Sequence, residues 1–157
     1  MIHLFEERPE VRLGHSGPLA VSVWYNVMTD EASNALDRLH AQILKSHPKI
    51  TILSVVQGAA KAPSHEQRER ANEQARLLEP HRLGNFVVVL TSGLPGVITR
   101  TFLAGFTMLS KTPMTVLKSV DEAAEQIRKL PGQDPALSQN AALPLELKQF
   151  LELPRKA

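Results

Sequence analysis

Histidines are the side chains in this chain best suited to acid–base or metal chemistry, because imidazole titrates near neutral pH and binds transition metals. There are six of them: His3, His15, His40, His47, His65 and His81. No two have the His-x-x-x-His spacing of a zinc pair. The chain has no cysteine, which excludes disulfides, thiolate zinc sites and cysteine nucleophiles. His40 follows Asp37 by three residues and could contact it on one helical turn. The pattern predicts no metal site and no cofactor.

Ser92 is one candidate for covalent chemistry. It belongs to Thr91-Ser92-Gly93-Leu94-Pro95-Gly96, where a predicted strand meets a predicted helix, as in the ligand crevice of a parallel sheet. This segment lacks the glycine spacing and lysine of a phosphate loop and the Gly-x-Ser-x-Gly of a nucleophile elbow. A small enzyme using Ser92 with a distant histidine and an acid is one alternative. Because no complete catalytic motif is present, we expect a protein that is not an enzyme.

Ser64 is the second candidate, and two interpretations of it stay open. With Gln67 it forms a Ser-x-x-Gln capping box at the start of a charged helix, which would satisfy free backbone amides there. A phosphate on Ser64 would be favoured by the helix dipole and opposed by the neighbouring Glu66. We therefore treat Ser64 as a predicted N-cap and as a candidate phosphorylation site.

Composition indicates an ordinary globular domain. The chain has 157 residues and a formal net charge of +2, too small to indicate nucleic acid as a partner. The first residues, MIHLFEERPE, lack the basic start and long apolar core of a signal peptide. The most apolar segment, residues 97–109, contains Arg100 and is too short to span a bilayer. We expect a cytoplasmic protein with no transmembrane segment.

Apolar patterning predicts an α/β fold. Short apolar runs between turn residues predict strands at 11–15, 19–27, 49–57, 86–90 and 114–117, and whether residues 2–5 add another is left open. Apolar residues at helical spacing predict helices at 31–45, 64–79, 95–109 and 119–130. Ser119 and Glu122 form a Ser-x-x-Glu capping box at the start of the last of these helices. The first two strands suit an antiparallel hairpin, and the later alternation of strands and helices suits parallel βαβ units. The runs at 49–57 and 86–90 are apolar nearly throughout, which predicts strands in the middle of the sheet.

The composition changes after residue 130. Residues 131–144 are rich in proline, glutamine, asparagine and alanine, which predicts a linker of low order. Residues 144–153 could form a short amphipathic helix that docks on the domain or on another chain. The predicted organisation is a domain at 1–130 followed by a linker and short helix at 131–157.

The predicted helix at 95–109 is apolar on more than one side. Phe102 and Phe106 belong to one stripe, and Leu103 and Met108 make the opposite side apolar as well. A helix on the outside of a sheet is expected to be more polar there. Two interpretations are open: burial beneath the hairpin, the tail or a dimer mate, or a surface for a partner or an apolar ligand formed by Phe102, Leu103, Phe106 and Met108.

Three segments together resemble the STAS-like proteins typified by the anti-sigma-factor antagonist SpoIIAA. They are VRLGHSGPLAVSVW, then ITILSVVQ with SHEQRERANEQARLL, then FVVVLTS with GFTMLSKTPMTVLKSVDEAAEQI. The resemblance covers residues 11–130 and is one of pattern. It implies a non-enzymatic regulatory domain that binds a protein partner.

The resemblance also implies a partner and a switch. In antagonist members of the family, a partner kinase phosphorylates a serine at the start of the second helix and thereby releases the complex. The matching position here is Ser64. The wider SpoIIAA-like group shares its fold with lipid-carrier domains, which implies an alternative: a carrier or sensor of a lipid or other apolar ligand. Self-association is compatible with either function.

Overall fold

The computed structural model describes residues 1–26, 28–57, 65–90 and 114–155. Within them, six strands form one sheet with helices on both faces. The strands are β1 (His3–Glu7), β2 (Val11–Ser16), β3 (Leu19–Trp24), β4 (Ile50–Val56), β5 (Arg82–Val89) and β6 (Thr115–Leu117). The helices are α1 (Asp30–Ser46), α2 (His65–Leu78), α3 (Val120–Lys129), α4 (Pro135–Ser138) and α5 (Leu143–Glu152), with a 3-10 turn at Glu79–His81.

Strand order in the sheet follows the order along the chain, β1 to β6. The first three strands pair antiparallel, and β3 to β6 pair parallel. The predicted α/β class, antiparallel hairpin and parallel units are thus confirmed. The N-terminal segment does add a strand, β1, whose pairing with β2 is interrupted by an irregularity between Leu4 and Glu6.

This strand order explains which face each helix covers. Connections between parallel strands are almost always right-handed, so a sheet that grows in one direction receives its connecting helices on one face. The connecting helices α1 and α2 accordingly lie together on one face. The helices after β6 are free of that constraint, and α3, α4 and α5 cover the opposite face.

Two apolar cores result, one on each side of the sheet. Alternation along β3 divides its side chains between them: Val21 packs with α3 to α5, and Ala20 packs with α1. On the α1 side, Ala32, Leu39 and Ile43 are buried against the sheet, as the predicted helical stripe requires.

Side-chain caps fix the starts of two helices. Ala32 N donates to Thr29 Oγ1 (3.1 Å) at the start of α1. Glu122 N donates to Ser119 Oγ (3.2 Å) at the start of α3, the predicted Ser-x-x-Glu cap. Both caps satisfy amides that have no partner within their own helix.

The C-terminal segment differs from the low-order linker expected at residues 131–144. Leu137 in α4 and Leu143 at the start of α5 are completely buried in the core that α3 forms with the sheet. Gln133 also donates through Nε2 to Ile127 O (2.8 Å) and to Thr51 Oγ1 (3.1 Å). The composition of this segment is typical of a linker. However, Leu137 and Leu143 pack on the apolar face of the sheet beside α3, and this packing fixes the position of the segment.

Candidate partner-binding surface

The second helix, α2, is the part of this fold most open to solvent along its whole length. None of its described side chains is fully buried. Its apolar residues are few and small: Ala71 and Ala75 are half-buried, and Leu78 reaches the α1 core. Leu77, on the outer side, is 64% exposed. Such a helix gains little from apolar burial, so polar contacts must hold it in place.

Those polar contacts run along α1. Gln74 donates through Nε2 to Ser33 Oγ (3.0 Å) and Asp37 Oδ1 (2.7 Å). One turn earlier, Arg70 donates to Asp30 Oδ1 (3.1 Å) and also bonds to the Asn34 side-chain oxygen. The contacts advance in the same direction on both helices, so α1 and α2 lie parallel. The interface between them is polar and readily hydrated, unlike the apolar interface of each core.

Gln67 begins this row of contacts. Its Nε2 donates to Met28 O (2.8 Å), in the segment that leads into α1. Gln67, Arg70 and Gln74 recur at helical spacing and so share one side of α2. The side chains facing away from α1 include Glu73 and Arg76, an exposed pair with Arg76 Nη2 2.6 Å from Glu73 Oε1. The Glu73–Arg76 pair thus lies on the outer side of α2, whereas Arg70 turns toward α1.

The start of α1 is anchored by a buried carboxylate. Glu10, in the turn between β1 and β2, accepts hydrogen bonds from Thr29 Oγ1 (2.7 Å) and Arg8 Nε (3.1 Å). Burial by itself would raise the pKa of Glu10, but the hydrogen bonds from Thr29 and Arg8 outweigh it and leave the pKa lowered. The charged form of Glu10 thus stabilises the position of the Thr29 cap, and through it α1.

His40 is a buried histidine on the same interface. Ser33, Asp37 and His40 recur at helical spacing on α1, and the first two bind Gln74, so His40 follows them on the side toward α2. His40 is 6% exposed, and neither ring nitrogen has a hydrogen-bond partner among the described residues. Burial lowers the pKa of His40 to about 4. The contact with Asp37 suggested by its spacing is not formed, because Asp37 is turned toward Gln74.

A polar pair lies in the sheet near the carboxyl ends of the parallel strands. Trp24 Nε1 donates to Ser22 Oγ (2.9 Å), and Ser22 Oγ lies 3.3 Å from Ser54 Oγ on β4. Because the hydroxyl groups are bonded to one another and to the indole, this cluster is internally satisfied. It supports the Trp24 ring and is not arranged as a nucleophile with a base.

Sequence reasoning missed Arg12, the largest fully buried side chain. Arg12 Nη1 donates to Phe150 O (2.9 Å) and Nη2 donates to Pro154 O (3.2 Å). Arg155 adds a contact from the tail, with its guanidinium 3.7 Å from the centre of the Tyr25 ring. A lone arginine between Val11 and Leu13 was the available signal, but Phe150 and Pro154, which its guanidinium binds, are more than a hundred residues away.

The predicted site residues fall mostly outside the described part of the chain. Ser64, which immediately precedes α2 in the sequence, is outside the described residues. Ser92 and the predicted surface of Phe102, Leu103, Phe106 and Met108 are outside them as well. In the described ranges, no group of three or more histidine, aspartate or glutamate side chains could hold a metal ion. No helix of those ranges has the length and apolar character needed to cross a membrane.

A shallow groove lies on the other side of the molecule, where β5 extends beyond β6. Its volume is about 410 Å³ and it is open to solvent. Leu83, Phe86 and Leu130 supply apolar walls, and Thr115 and Lys129 supply polar ones. The groove can accommodate a small amphipathic molecule, but it contains no grouping of acid, base and nucleophile.

The chain was compared with protein-family models, curated proteins and solved structures, and none of them matches it.

Proposed function

We propose that this chain is a regulatory protein-binding module that catalyses no reaction, with α2 as its binding surface. One observation carries the proposal: α2 is attached through Gln67, Arg70 and Gln74, while its outer side remains open to solvent. A helix whose role was only to cover the sheet would bury a wide apolar stripe. An exposed leucine within a charged helix, as at Leu77, is suited to become the buried centre of an interface with a polar rim.

The partner we propose is a kinase of the anti-sigma type, in line with the STAS-like resemblance. Ser64 directly precedes the first residue of α2. A phosphate there would add a charge of about −1.5 to −2 beside Glu66, at the end of the proposed surface. Unphosphorylated chain would therefore bind the kinase through α2, and phosphorylated chain would be released.

The test is affinity capture from a lysate of the source cells with ATP present, followed by mass spectrometry of the bait and of the captured proteins. The supporting result is an anti-sigma-type kinase together with phosphate on Ser64. Capture of the bait alone and unmodified, or only as copies of itself, would overturn the kinase proposal.

Two matched variants test whether α2 is the surface that binds the kinase. Leu77 and Leu145 are similarly exposed, 64% and 58%, but Leu77 is on α2 and Leu145 is on α5, across the sheet. Leu77→Glu should abolish capture of the kinase, since a buried unpaired charge at an interface costs several kcal/mol, about a hundredfold or more in affinity. Leu145→Glu should leave capture unchanged. Equal effects of the two substitutions would contradict the assignment to α2.

The groove beside β6 favours a second candidate function, in which the protein carries an apolar or amphipathic ligand. Its volume of about 410 Å³ lies within the range of small-molecule sites. Lys129, at its rim, could pair with a carboxylate whose chain lies along Leu83 and Leu130. Native mass spectrometry of the purified chain with added palmitate would detect a one-to-one complex. A Leu130→Asp variant that binds palmitate equally well would exclude the groove as its site.

A further inference from the structure

His40 is buried, and its spacing from Ser33 and Asp37 puts it on the side of α1 that faces α2, which suggests how α2 could be controlled. Gln74 on α2 contacts Ser33 and Asp37 on α1. Because the helices lie parallel, the next turn of each brings Leu78 of α2 alongside His40 of α1. Leu78 is half-buried against the apolar core beneath α1. The helical spacing therefore puts the end of α2 next to the turn of α1 that carries His40.

The surroundings of His40 are suited to a neutral ring only. The charged side chains on this side of the sheet include Asp37, which accepts from Gln74, and Arg70, with Nη2 4.0 Å from Asp37 Oδ2. A third is the buried Arg82 of β5, in register with Ile50, whose positive charge would also disfavour a proton on His40. From the sheet, β4 presents Ile50 and Ile52 to this core. Burial is the cause of the lowered pKa of His40. A proton on His40 would therefore be a buried charge without a counter-charge.

The least costly way to hydrate that charge is to move α2. Global unfolding would expose both apolar cores. Among the described side chains of α2, lifting the helix exposes polar contacts, two half-buried alanines and Leu78. Local openings occur where few apolar contacts must be broken. We propose that docking of α2 on α1 is controlled by pH through His40, so that the neutral imidazole permits docking and the protonated imidazole drives α2 away.

This inference rests on the proposed function for its consequence, because α2 is also the proposed binding surface. If α2 binds the partner only when docked, acidification would weaken the complex. The pH-dependent docking of α2 on α1 is a property of the isolated chain and can be measured without any partner.

The experiment is hydrogen exchange of backbone amides, compared between α2, α3 and α5 in the same samples at about pH 7.5 and pH 5.5. With a pKa of about 4 when docked and 6.5 when released, the opening constant of α2 should rise about tenfold on acidification, after correction for the intrinsic exchange rates. The amides of α3 and α5 should have a much smaller opening constant than those of α2 at both pH values, because their exchange requires opening of the apolar core on the opposite face. An opening constant of α2 no larger than that of α3 and α5 at pH 5.5 would mean that only global unfolding exposes His40, and would overturn the proposal.

Substitutions at four positions test whether His40, and not another group, causes the pH dependence of α2 opening. His40→Leu, or His40→Gln if the leucine variant does not fold, should remove the pH dependence of α2 opening. Gln74→Ala should raise α2 opening at both pH values and keep the tenfold difference. His65→Gln and His81→Gln remove two exposed histidines next to or within α2 and should also keep it. Retention of the tenfold rise in the His40 variants would overturn the proposal, while the Leu77 experiment independently tests the binding surface.

Discussion

Arg12 of β2 and Glu7 of β1 form a two-point ion pair inside the protein. Arg12 Nε lies 2.7 Å from Glu7 Oε2, and Nη2 lies 3.1 Å from Oε1. The two side chains are 1% and 9% exposed. Since the same guanidinium also donates to Phe150 O and Pro154 O, one side chain joins the first two strands to the end of the last helix. This pair therefore fixes the C-terminal segment to the sheet.

Replacing Arg12 with methionine should lower the free energy of unfolding by about 3–5 kcal/mol, because Glu7 would keep a buried charge without its main partner. Urea denaturation measures the loss. Arg76→Ala, which breaks the exposed pair with Glu73, is the control and should have no measurable effect. A loss in the Arg12 variant as small as in the control would show that the pair has no structural importance.

Gly14 allows α5 to approach the sheet. A Cβ atom at Gly14 would lie 2.5 Å from Phe150 Cζ and 2.8 Å from His3 O. Gly14→Ala should therefore destabilise the protein by about 1–3 kcal/mol through overpacking. Adding Phe150→Leu should recover part of that loss by relieving the ring contact, although the clash with the backbone of β1 remains. An alanine variant as stable as the wild type, measured by thermal denaturation, would contradict this packing.

Leu147 and Leu145 offer a matched pair within α5. Leu147 is 1% exposed and Leu145 is 58% exposed. Leu147→Ala should cost about 2–5 kcal/mol, and Leu145→Ala should cost little. Deletion of residues 133–157 removes Leu137, Leu143, Leu147 and Phe150, each worth about 1.5–3 kcal/mol, and so should prevent stable folding. A folded, cooperatively melting deletion variant would show instead that the segment is dispensable.

Because the effect of burial is outweighed by hydrogen bonds, which lower the pKa of Glu10, we expect the stability of the protein to depend on pH through this residue. Its pKa is lowered in the folded protein, so its charged form contributes stability above its ordinary pKa of 4.5, and that contribution is lost as the pH falls through the lower folded value. Glu10→Gln should cost about 1 kcal/mol at pH 7, the difference between a charged and a neutral acceptor. The gap between variant and wild type should narrow at acidic pH in urea titrations. If the difference in unfolding free energy between wild type and variant widened on acidification, the charged form of Glu10 would not be the stabilising one.

Much of the fold could be predicted from the sequence because the relevant signals are local. Apolar runs between turn residues identified β2 to β6, and helical spacing of small and branched residues identified α1, α2 and α3. Ser119 with Glu122 identified the start of α3 within four residues. The candidate site was only partly predictable. The sequence identified α2 as a charged helix, but the attachment of α2 through Gln67, Arg70 and Gln74 depends on partners about forty residues away.

The sequence by itself thus determined the type and order of most elements, through hydrophobic period and helix caps, which are properties of neighbouring residues. Only the tertiary structure decided that residues 131–152 cover one face of the sheet, that Arg12 is buried, and that the ring of His40 finds no hydrogen-bond partner in the described part of the chain. The physical reason is that burial and pairing depend on which distant segments the sheet brings together. The same leucines would be exposed in a linker, and the same arginine would be solvated on a free strand.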